Sequence, residues 1–194
     1  MVQIIGLSGS LRKGSFNTAL LHAAAGLMPD GSILEIGTIK GIPLYDGDLE
    51  AAEGLPGPVT TLKEHIAGAD GLLLVTPEYN NSLPGVFKNA IDWATRPSSD
   101  IQRVFGGKAV ALMGASPGSF GTILSQNAWL PVFRTLGVDF WSSGRMMVPK
   151  ANAAFDDAGR LTDEKAVDRL SAFLRNFVRY IESGSARQPV GRES

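Results

Sequence analysis

A glycine- and serine-rich stretch near the start of the chain constrains the fold most strongly. It covers residues 9–17, reads GSLRKGSFN, and joins an apolar run, Val2 to Leu7, to a helical pattern that begins near Thr18. The first backbone N–H groups of a helix have no partner inside the helix and carry the positive end of its dipole, so they attract anions. The stretch also supplies short polar side chains and an arginine, whose guanidinium suits phosphate oxygens. The sequence therefore predicts a phosphate site here, although an ordinary solvent-exposed turn has the same pattern.

Two common phosphate loops do not match these residues. Gly9 and Gly14 have the spacing of the nucleoside-triphosphate loop, but Ser15 and Phe16 stand where a lysine and a hydroxyl residue should follow. The dinucleotide fingerprint cannot be placed either, because Gly6, Gly9 and Gly14 are wrongly spaced for it. An ATPase or kinase is thereby disfavoured. What remains is a cradle for a single phosphate, such as that of a mononucleotide.

Length and hydropathy indicate one folded domain. The chain has 194 residues, of which 44% are hydrophobic and 19% are charged, and this suits a single α/β domain. No apolar stretch approaches the ~20 residues that cross a bilayer. No signal-peptide pattern precedes the first strand, so we expect a cytoplasmic protein that does not interact with membranes.

Residue types that are rare or missing exclude several mechanisms. There is no cysteine, which excludes disulfides, thiol redox centres and iron–sulfur clusters. His22 and His65 are isolated from any metal-ligand spacing, so we expect no metal site. The net charge of -1 offers no electrostatic basis for nucleic-acid binding.

Apolar runs alternate with helical patterns along the chain, which is typical of a parallel sheet with helices on both faces. Leu72 to Val75 is the most uniformly apolar run and is expected to be the central strand. Residues 41–58 read as a solvent-exposed loop, and 183–194 as a flexible tail after one domain of residues 1–182. Strands are predicted at 2–7, 32–36, 72–75, 108–113 and 138–141, with 145–148 extending the last edge; helices are predicted at about 18–28, 59–68, 86–94, 123–136 and 162–182.

This pattern predicts an α/β, flavodoxin-like doubly wound sandwich with a five-stranded parallel sheet in the order 2-1-3-4-5. Three loops, residues 9–17, 77–85 and 114–122, follow strands one, three and four. Ligands of such sheets bind at the carboxyl ends of the strands, where the strand order reverses. We therefore expect the three loops to converge there on one site.

Aromatic residues on two helices suggest an interface between subunits. Trp93 lies off the apolar stripe of its helix, and an exposed tryptophan is typical of interfaces. We expect Trp129 and Phe133 to be exposed as well and to form a homodimer or a dimer of dimers. Arg96 ends the helix of Trp93, where it could contact a cofactor phosphate, a neighbouring subunit's site or the helix dipole.

Six short motifs stand out, namely GSLR at 9–12, SFN at 15–17, TPEYN at 76–80, PG at 84–85, KNAIDW at 88–93 and ASPG at 115–118. Together they resemble the NADPH-dependent FMN reductase family, which includes bacterial quinone, chromate, ferric and azo-dye reductases. The resemblance spans about residues 2 to 182, and the co-occurrence of the first loop with the TPEYN stretch makes it specific. It implies tightly bound FMN and NADPH or NADH as the electron donor.

The resemblance also assigns residues to parts of the cofactor. By similarity, the FMN phosphate would be held by Ser10, Arg12, Ser15, Phe16 and Asn17. The isoalloxazine would be lined by Pro77, Glu78, Tyr79 and Asn80, and its pyrimidine side approached by Ser116, Pro117 and Gly118. The FMN carries the redox chemistry, so no catalytic side chain is expected. For Glu78 we favour an ion pair or a helix cap over proton transfer.

The function implied is an NAD(P)H:acceptor oxidoreductase that reduces small-molecule acceptors, quinones among them, by a ping-pong mechanism. An alternative within the family is an FMN reductase that supplies free reduced flavin. A third reading is a flavodoxin-like electron carrier, but such carriers are usually strongly acidic. This chain has 18 basic and 19 acidic residues, which argues against that reading.

Overall fold

The computed structural model describes residues 1–184 and contains one parallel sheet. The strand order is β2-β1-β3-β4-β5, as predicted, and a sixth strand also pairs with β4. All five residues of β3 are buried, which confirms it as a central strand. The strands are β1 (Val2–Ser8), β2 (Ser32–Ile36), β3 (Gly71–Val75), β4 (Ala109–Ala115), β5 (Asp139–Phe140) and β6 (Met146–Val148).

The edge of the sheet next to β4 differs from the prediction. The first residues of β4, Ala109 and Val110, pair with β5, whereas its last three residues pair with β6. Residues 145–148 therefore do not extend the fifth strand. They form a separate strand, because the chain leaves the sheet after Phe140. It then returns to the same edge of β4, where it pairs with the carboxyl-terminal residues of that strand.

The predicted helices are present, and three short ones are added. The helices are α1 (Phe16–Gly26), α2 (Gly47–Glu53), α3 (Gly57–Gly68), α4 (Gly85–Ala94), α5 (Ile101–Val104), α6 (Ile123–Leu136), α7 (Ala151–Ala154) and α8 (Glu164–Glu182). Helix α1 begins two residues earlier than predicted because the Ser15 hydroxyl accepts a hydrogen bond from the Thr18 N–H and caps it. Asp163 caps α8 in the same way. Residues 185–194, most of the predicted tail, lie outside the described residues.

Helices cover both faces of the sheet. One hydrophobic cluster joins α1 and α8 to one face of β1, β3 and β4, and a second joins α3, α4 and α6 to the other face. In the described part of the chain, no helix combines the length and the apolar character needed to cross a membrane.

The prediction for residues 41–58 was wrong in part, and so was the prediction for Trp93. Helix α2 lies within this segment, where Asp46 caps it by accepting from the Asp48 N–H. The segment packs on α4: the Trp93 indole N–H donates to the Pro43 carbonyl, and the Tyr45 ring meets the indole edge-on with 4.9 Å between centroids. Trp93 is therefore buried.

Trp129 and Phe133 are buried too, contrary to the expected exposure. Their rings stack on each other, and Phe87 meets Trp129 edge-on. The Trp129 indole N–H donates to the Thr76 hydroxyl at 3.1 Å. These aromatic residues belong to the core beneath the loops and are not available for a subunit interface.

Candidate functional site

The three predicted loops begin side by side at the carboxyl edge of the sheet. They follow β1, β3 and β4, which are neighbours. The Gly9 N–H donates to the Val75 carbonyl at 2.9 Å, which ties the start of the first loop to the end of β3. A Cβ atom at Gly9 would lie 2.2 Å from the Phe87 ring, so only glycine allows the loop to pass so close to α4. The structure thus brings the three loops together.

The first loop leaves hydrogen-bond donors available at the start of α1. Within residues 1–184, the backbone N–H groups of Phe16 and Asn17 have no hydrogen-bond partner. Arg12 is exposed, takes part in none of the ion pairs found there, and lies 6.0 Å from the centroid of the Phe16 ring. Two free helix N–H groups and a guanidinium next to them suit a phosphate dianion. This arrangement fits the phosphate of FMN.

The hydroxyls of the first loop organise the backbone. The Ser10 hydroxyl accepts from the Arg12 N–H at 3.3 Å, which turns the loop before its basic residues. Ser15 is buried, and its hydroxyl oxygen accepts from Thr18 while its proton remains free to donate. Both serines therefore fix the loop, and the hydroxyl proton of each remains available to a ligand.

Asn17 uses its side chain within the protein. Its amide group donates to the Ala115 carbonyl and accepts from the Ala115 N–H, each at 2.9 Å, and the residue is buried. The first loop is thereby fixed to the end of β4. Because the side chain is engaged, only the backbone N–H of Asn17 is available to a phosphate. The sequence alone does not reveal that the side chain and the backbone have different partners.

The loop after β3 contains a tight two-residue turn. Tyr79 and Ser82 exchange two backbone hydrogen bonds, at 3.0 and 3.1 Å, around Asn80 and Asn81. Both asparagines have left-handed backbone angles, with φ of 50° and 63°. Asparagine tolerates this conformation better than most other residues. Pro77 is buried at the base of the turn, whereas the Tyr79 ring is 46% exposed at its tip.

Glu78 caps a helix, as the sequence analysis favoured. One oxygen of its carboxylate accepts from the backbone N–H groups of Leu124 and Ser125, at 2.9 and 3.1 Å. These groups lie in the first turn of α6, whose N-cap residue, Thr122, provides no side-chain cap of its own. A carboxylate at this end of a helix also complements its dipole. Glu78 thus joins the second loop to the helix that follows the third.

The third loop is closed at its base and open at its tip. The Ser116 hydroxyl donates to the Gly121 carbonyl at 2.7 Å, and the Lys150 N–H donates to the Gly118 carbonyl at 3.0 Å. Pro117 and Gly118 are exposed between these two contacts. As far as the structure describes the chain, the N–H groups of residues 118–120 have no partner. Such N–H groups can stabilise negative charge on the pyrimidine side of a flavin.

Two buried contacts beneath the loops were not predicted. The Thr76 hydroxyl lies 2.8 Å from the Ser125 hydroxyl and accepts from Trp129, so it links the end of β3 to α6. A Cβ atom at Gly114 would lie 2.0 Å from the Thr122 hydroxyl, which requires glycine at the end of β4. In the sequence, the only signal for Thr76 is a polar residue that directly follows the apolar run.

Arg96 contacts its own chain in a way that was not predicted. Its Nε donates to Glu50 at 2.8 Å, and its guanidinium lies 5.8 Å from the centroid of the Tyr45 ring. The hydrogen bond from Arg96 is the main reason why the pKa of Glu50 is lowered, and it raises the pKa of Arg96 in turn. Arg96 therefore holds α2 against the end of α4.

Two cavities lie outside the loop site. One, of about 120 Å³, lies between α6 and the β5–β6 edge, and the other, of about 370 Å³, lies between α3 and β2. Neither cavity is lined by a residue predicted to bind FMN. The predicted site is instead an open surface between three loops.

Comparisons with known proteins agree with this geometry. The NADPH-dependent FMN reductase family matches residues 2–153. An NAD(P)H-dependent FMN reductase of Pseudomonas aeruginosa is 46% identical over 174 residues, 90% of this chain and 92% of the relative. A 2-hydroxy-1,4-benzoquinone reductase of a Burkholderia species is 38% identical over 89% of this chain and 92% of the relative.

The fold is shared with a solved flavoenzyme. An NAD(P)H:(acceptor) oxidoreductase from Paracoccus denitrificans superimposes with a TM-score of 0.83 at 36% identity. The match covers 94% of this chain and 98% of that one.

Proposed function

The chain belongs to the NADPH-dependent FMN reductase family, and from that premise we propose that it is an FMN-dependent NAD(P)H:acceptor oxidoreductase that reduces quinones. One observation carries the proposal furthest: among the described residues, the N–H groups of Phe16 and Asn17 have no partner and lie beside Arg12, at the edge of the sheet where the third loop also leaves N–H groups without partners. Chromate, ferric complexes and azo dyes are further candidate acceptors. When bound, FMN takes two electrons from NAD(P)H and passes them to the acceptor.

The chain's own part in this reaction is to bind and orient the cofactor. Arg12, Ser10 and Ser15 would bind the phosphate together with the first N–H groups of α1. The turn at Tyr79 and Asn80 would border one side of the isoalloxazine, with Pro77 and Glu78 at its base. Ser116, Pro117 and Gly118 would border the pyrimidine side, where their loop offers N–H groups to negative charge.

The test uses the colour of the purified protein. We expect FMN to copurify, NADPH to bleach its visible absorbance without oxygen, and a quinone added afterwards to restore it. A protein without bound FMN that also fails to bind added FMN would contradict the proposal. So would bound FMN that neither NADPH nor NADH bleaches.

Release of free reduced FMN is the second candidate, favoured by the name of the Pseudomonas relative. The two activities differ in where the cofactor is during turnover. Gel filtration in the presence of NADPH would distinguish the two activities by showing whether FMN elutes with the protein. Retained FMN indicates an enzyme that reduces other acceptors, and loss of FMN after each reduction indicates a flavin supplier.

We also propose that the protein forms a homodimer or a dimer of dimers. The interface would consist of other residues than the three aromatic residues first expected, because those are buried. Val86 on α4 and Leu124 and Leu130 on α6 are 37%, 44% and 43% exposed, on the helices that flank the site. Sedimentation should give at least twice 20.5 kDa. Leu130→Glu should lower this mass, whereas Ile33→Glu, at the opposite end of the sheet, should not. A wild-type monomer at micromolar concentration would contradict the proposal.

The unit that binds FMN is proposed to be residues 1–182, with 183–194 as an appended tail. We further propose that the protein works in the cytoplasm, where NADPH and NADH are supplied. Cell fractionation followed by the bleaching assay would test the location, and a chain shortened after Glu182 should retain FMN.

A further inference from the structure

Each of the three loops exposes one large apolar side chain. Leu11 in the first loop is 46% exposed, Tyr79 in the second is 46% exposed, and Phe120 in the third is 80% exposed. Single exposed apolar side chains are common on protein surfaces, whereas a group of them at one place is typical of a ligand or interaction site. The three loops follow adjacent strands and leave the sheet at the same edge, and we call these three exposed side chains the apolar rim.

Phe120 is presented by a loop with a fixed base. The hydrogen bond from Ser116 to Gly121 closes the loop on both sides of Phe120, and Gly121 has the left-handed φ of 63° that the closure needs. A Cβ atom at Gly121 would lie 2.9 Å from the Met147 Cβ, so the loop is also packed against β6. The backbone that presents the exposed ring is therefore held in place by these contacts.

The rim offers little charge to a ligand. In the loops of Tyr79 and Phe120 the neighbouring polar residues are Asn80, Asn81 and Ser119, which are neutral, and one cation, Lys150, is joined to the third loop by the hydrogen bond from its backbone N–H to Gly118. The carboxylate of Glu78 is engaged at the N-terminus of α6. The basic residues Arg12 and Lys13 lie in the first loop, where the phosphate is expected. A flat, uncharged ring system is the ligand that this surface would favour.

We propose that Phe120 is a specificity-determining residue, whose ring contacts planar uncharged acceptors at the flavin site and has no part in the reaction with small hydrophilic oxidants. The inference rests on the proposed function. A planar quinone gains from the contact because aromatic rings attract each other in offset-stacked or edge-to-face pairs, in addition to the apolar area that they bury. A highly charged metal complex such as ferricyanide keeps its hydration and gains nothing from the ring.

The test compares two acceptors with Phe120→Ala, Phe120→Tyr and the control Ile33→Ala. Ile33 is 50% exposed on β2, near the amino end of the sheet and away from the loops. We expect Phe120→Ala to lower kcat/KM for menadione about tenfold, with kcat/KM for ferricyanide unchanged within about twofold. Phe120→Tyr keeps the ring and should resemble the wild type, as should Ile33→Ala.

A binding measurement without turnover completes the test. The ligand is 1-naphthol, a planar uncharged compound that the flavin cannot reduce. Its dissociation constant can be measured from changes in the visible spectrum of the FMN-loaded protein. Phe120→Ala should weaken this binding about tenfold, with the sedimentation coefficient unchanged. Equal losses with menadione and ferricyanide would overturn the inference, and so would unchanged naphthol binding. A drop in mass would also overturn it, since Phe120 would then be covered by a second subunit.

Failure of this inference can be told apart from failure of the proposed function. If NADPH bleaches the wild-type protein and menadione restores its colour, the function stands whatever Phe120→Ala does. If the wild-type protein is not bleached at all, the function itself is wrong.

Discussion

The side-chain amide of Asn17 forms two hydrogen bonds with the backbone of Ala115, 98 residues later in the chain. Asn17 lies in the first turn of α1, and Ala115 is the last residue of β4. Both are buried. This pair fixes the distance between the loop proposed to bind the phosphate and the loop proposed to approach the pyrimidine ring. We therefore propose that Asn17 positions both of these loops relative to each other.

We expect Asn17→Ala to destabilise the protein by roughly 2 to 3 kcal/mol. The change leaves the buried N–H and C=O groups of Ala115 without partners, and each such group is costly. Urea unfolding monitored by fluorescence would measure the loss, and titration of the apoprotein would show weaker FMN binding. Asn127→Ala is the matched control, since Asn127 is exposed on α6 and its loss should cost less than about 0.5 kcal/mol. Equal effects of the two changes would rule out the positioning role.

A second prediction concerns Arg12. Its charge-assisted contact with phosphate should contribute about 1.5 to 3 kcal/mol, so Arg12→Ala should raise the dissociation constant of FMN about 10- to 150-fold. Arg134→Ala, an exposed arginine in the last turn of α6, serves as the control. If Arg12→Ala binds FMN as tightly as the control, the phosphate is held by the backbone N–H groups of α1 and the serine hydroxyls alone.

Elements with a strong local pattern could be predicted from the sequence. The apolar run of β3 and the long apolar stripe of α8 each identify their element without help from the rest of the chain. Helix α2 was missed because its start, Asp46-Gly47-Asp48, is also typical of a turn. The burial of Trp93 was missed because the group that covers it, the Pro43 segment, lies 50 residues earlier.

For Glu78 we expect a loss of stability rather than of proton transfer. Removing the cap of α6 by Glu78→Ala should cost about 1 kcal/mol, whereas Glu78→Gln keeps an acceptor oxygen and should cost less. The pH dependence of quinone reduction should be the same for Glu78→Gln and the wild type. A pH profile that lost one limb in Glu78→Gln would contradict this prediction and indicate that the carboxyl group carries a proton.

The contact between Arg96 and Glu50 predicts how stability varies with pH. The pKa of Glu50 is lowered first by its hydrogen bond from Arg96 and then by one from Tyr45, relative to an ordinary value of 4.5. The stabilisation is therefore present above about pH 4.5 and is lost as the pH falls through the lowered pKa of the folded state. Urea unfolding between about pH 3 and pH 7 should show this loss in the wild type.

Two variants should reduce that loss to different extents. Glu50→Gln removes the titrating group and should abolish its contribution to the acid limb of the stability curve, whereas Arg96→Met removes the largest cause of the lowered pKa, leaves the hydrogen bond from Tyr45, and should flatten the limb less. Glu53 lies on the same helix and takes part in none of the ion pairs among the described residues. The control variant Glu53→Gln should therefore reproduce the wild-type curve. An acid limb that stayed unchanged in Glu50→Gln would show that other carboxylates cause it.

The position of the candidate site could be predicted, but most of its internal contacts could not. Turn residues and polar side chains after strands one, three and four locate the three loops in the sequence. The contact of Asn17 with Ala115 joins residues that are 98 positions apart, and the contact of Glu78 with α6 joins residues that are at least 46 positions apart. Each depends on how closely the packed helices approach the sheet, and no local pattern encodes that distance.

The last prediction concerns the order in which donor and acceptor react. The three loops border one open surface, and the sequence contains no second nucleotide fingerprint, so both substrates should use the same site in turn. Initial rates at several fixed quinone concentrations should then give parallel double-reciprocal lines. A non-reducing nicotinamide analogue should compete with the quinone, because each needs the surface that Tyr79 and Phe120 expose. Intersecting lines, together with a complex that holds the analogue and a quinone at once, would show instead that the loops accommodate two ligands side by side.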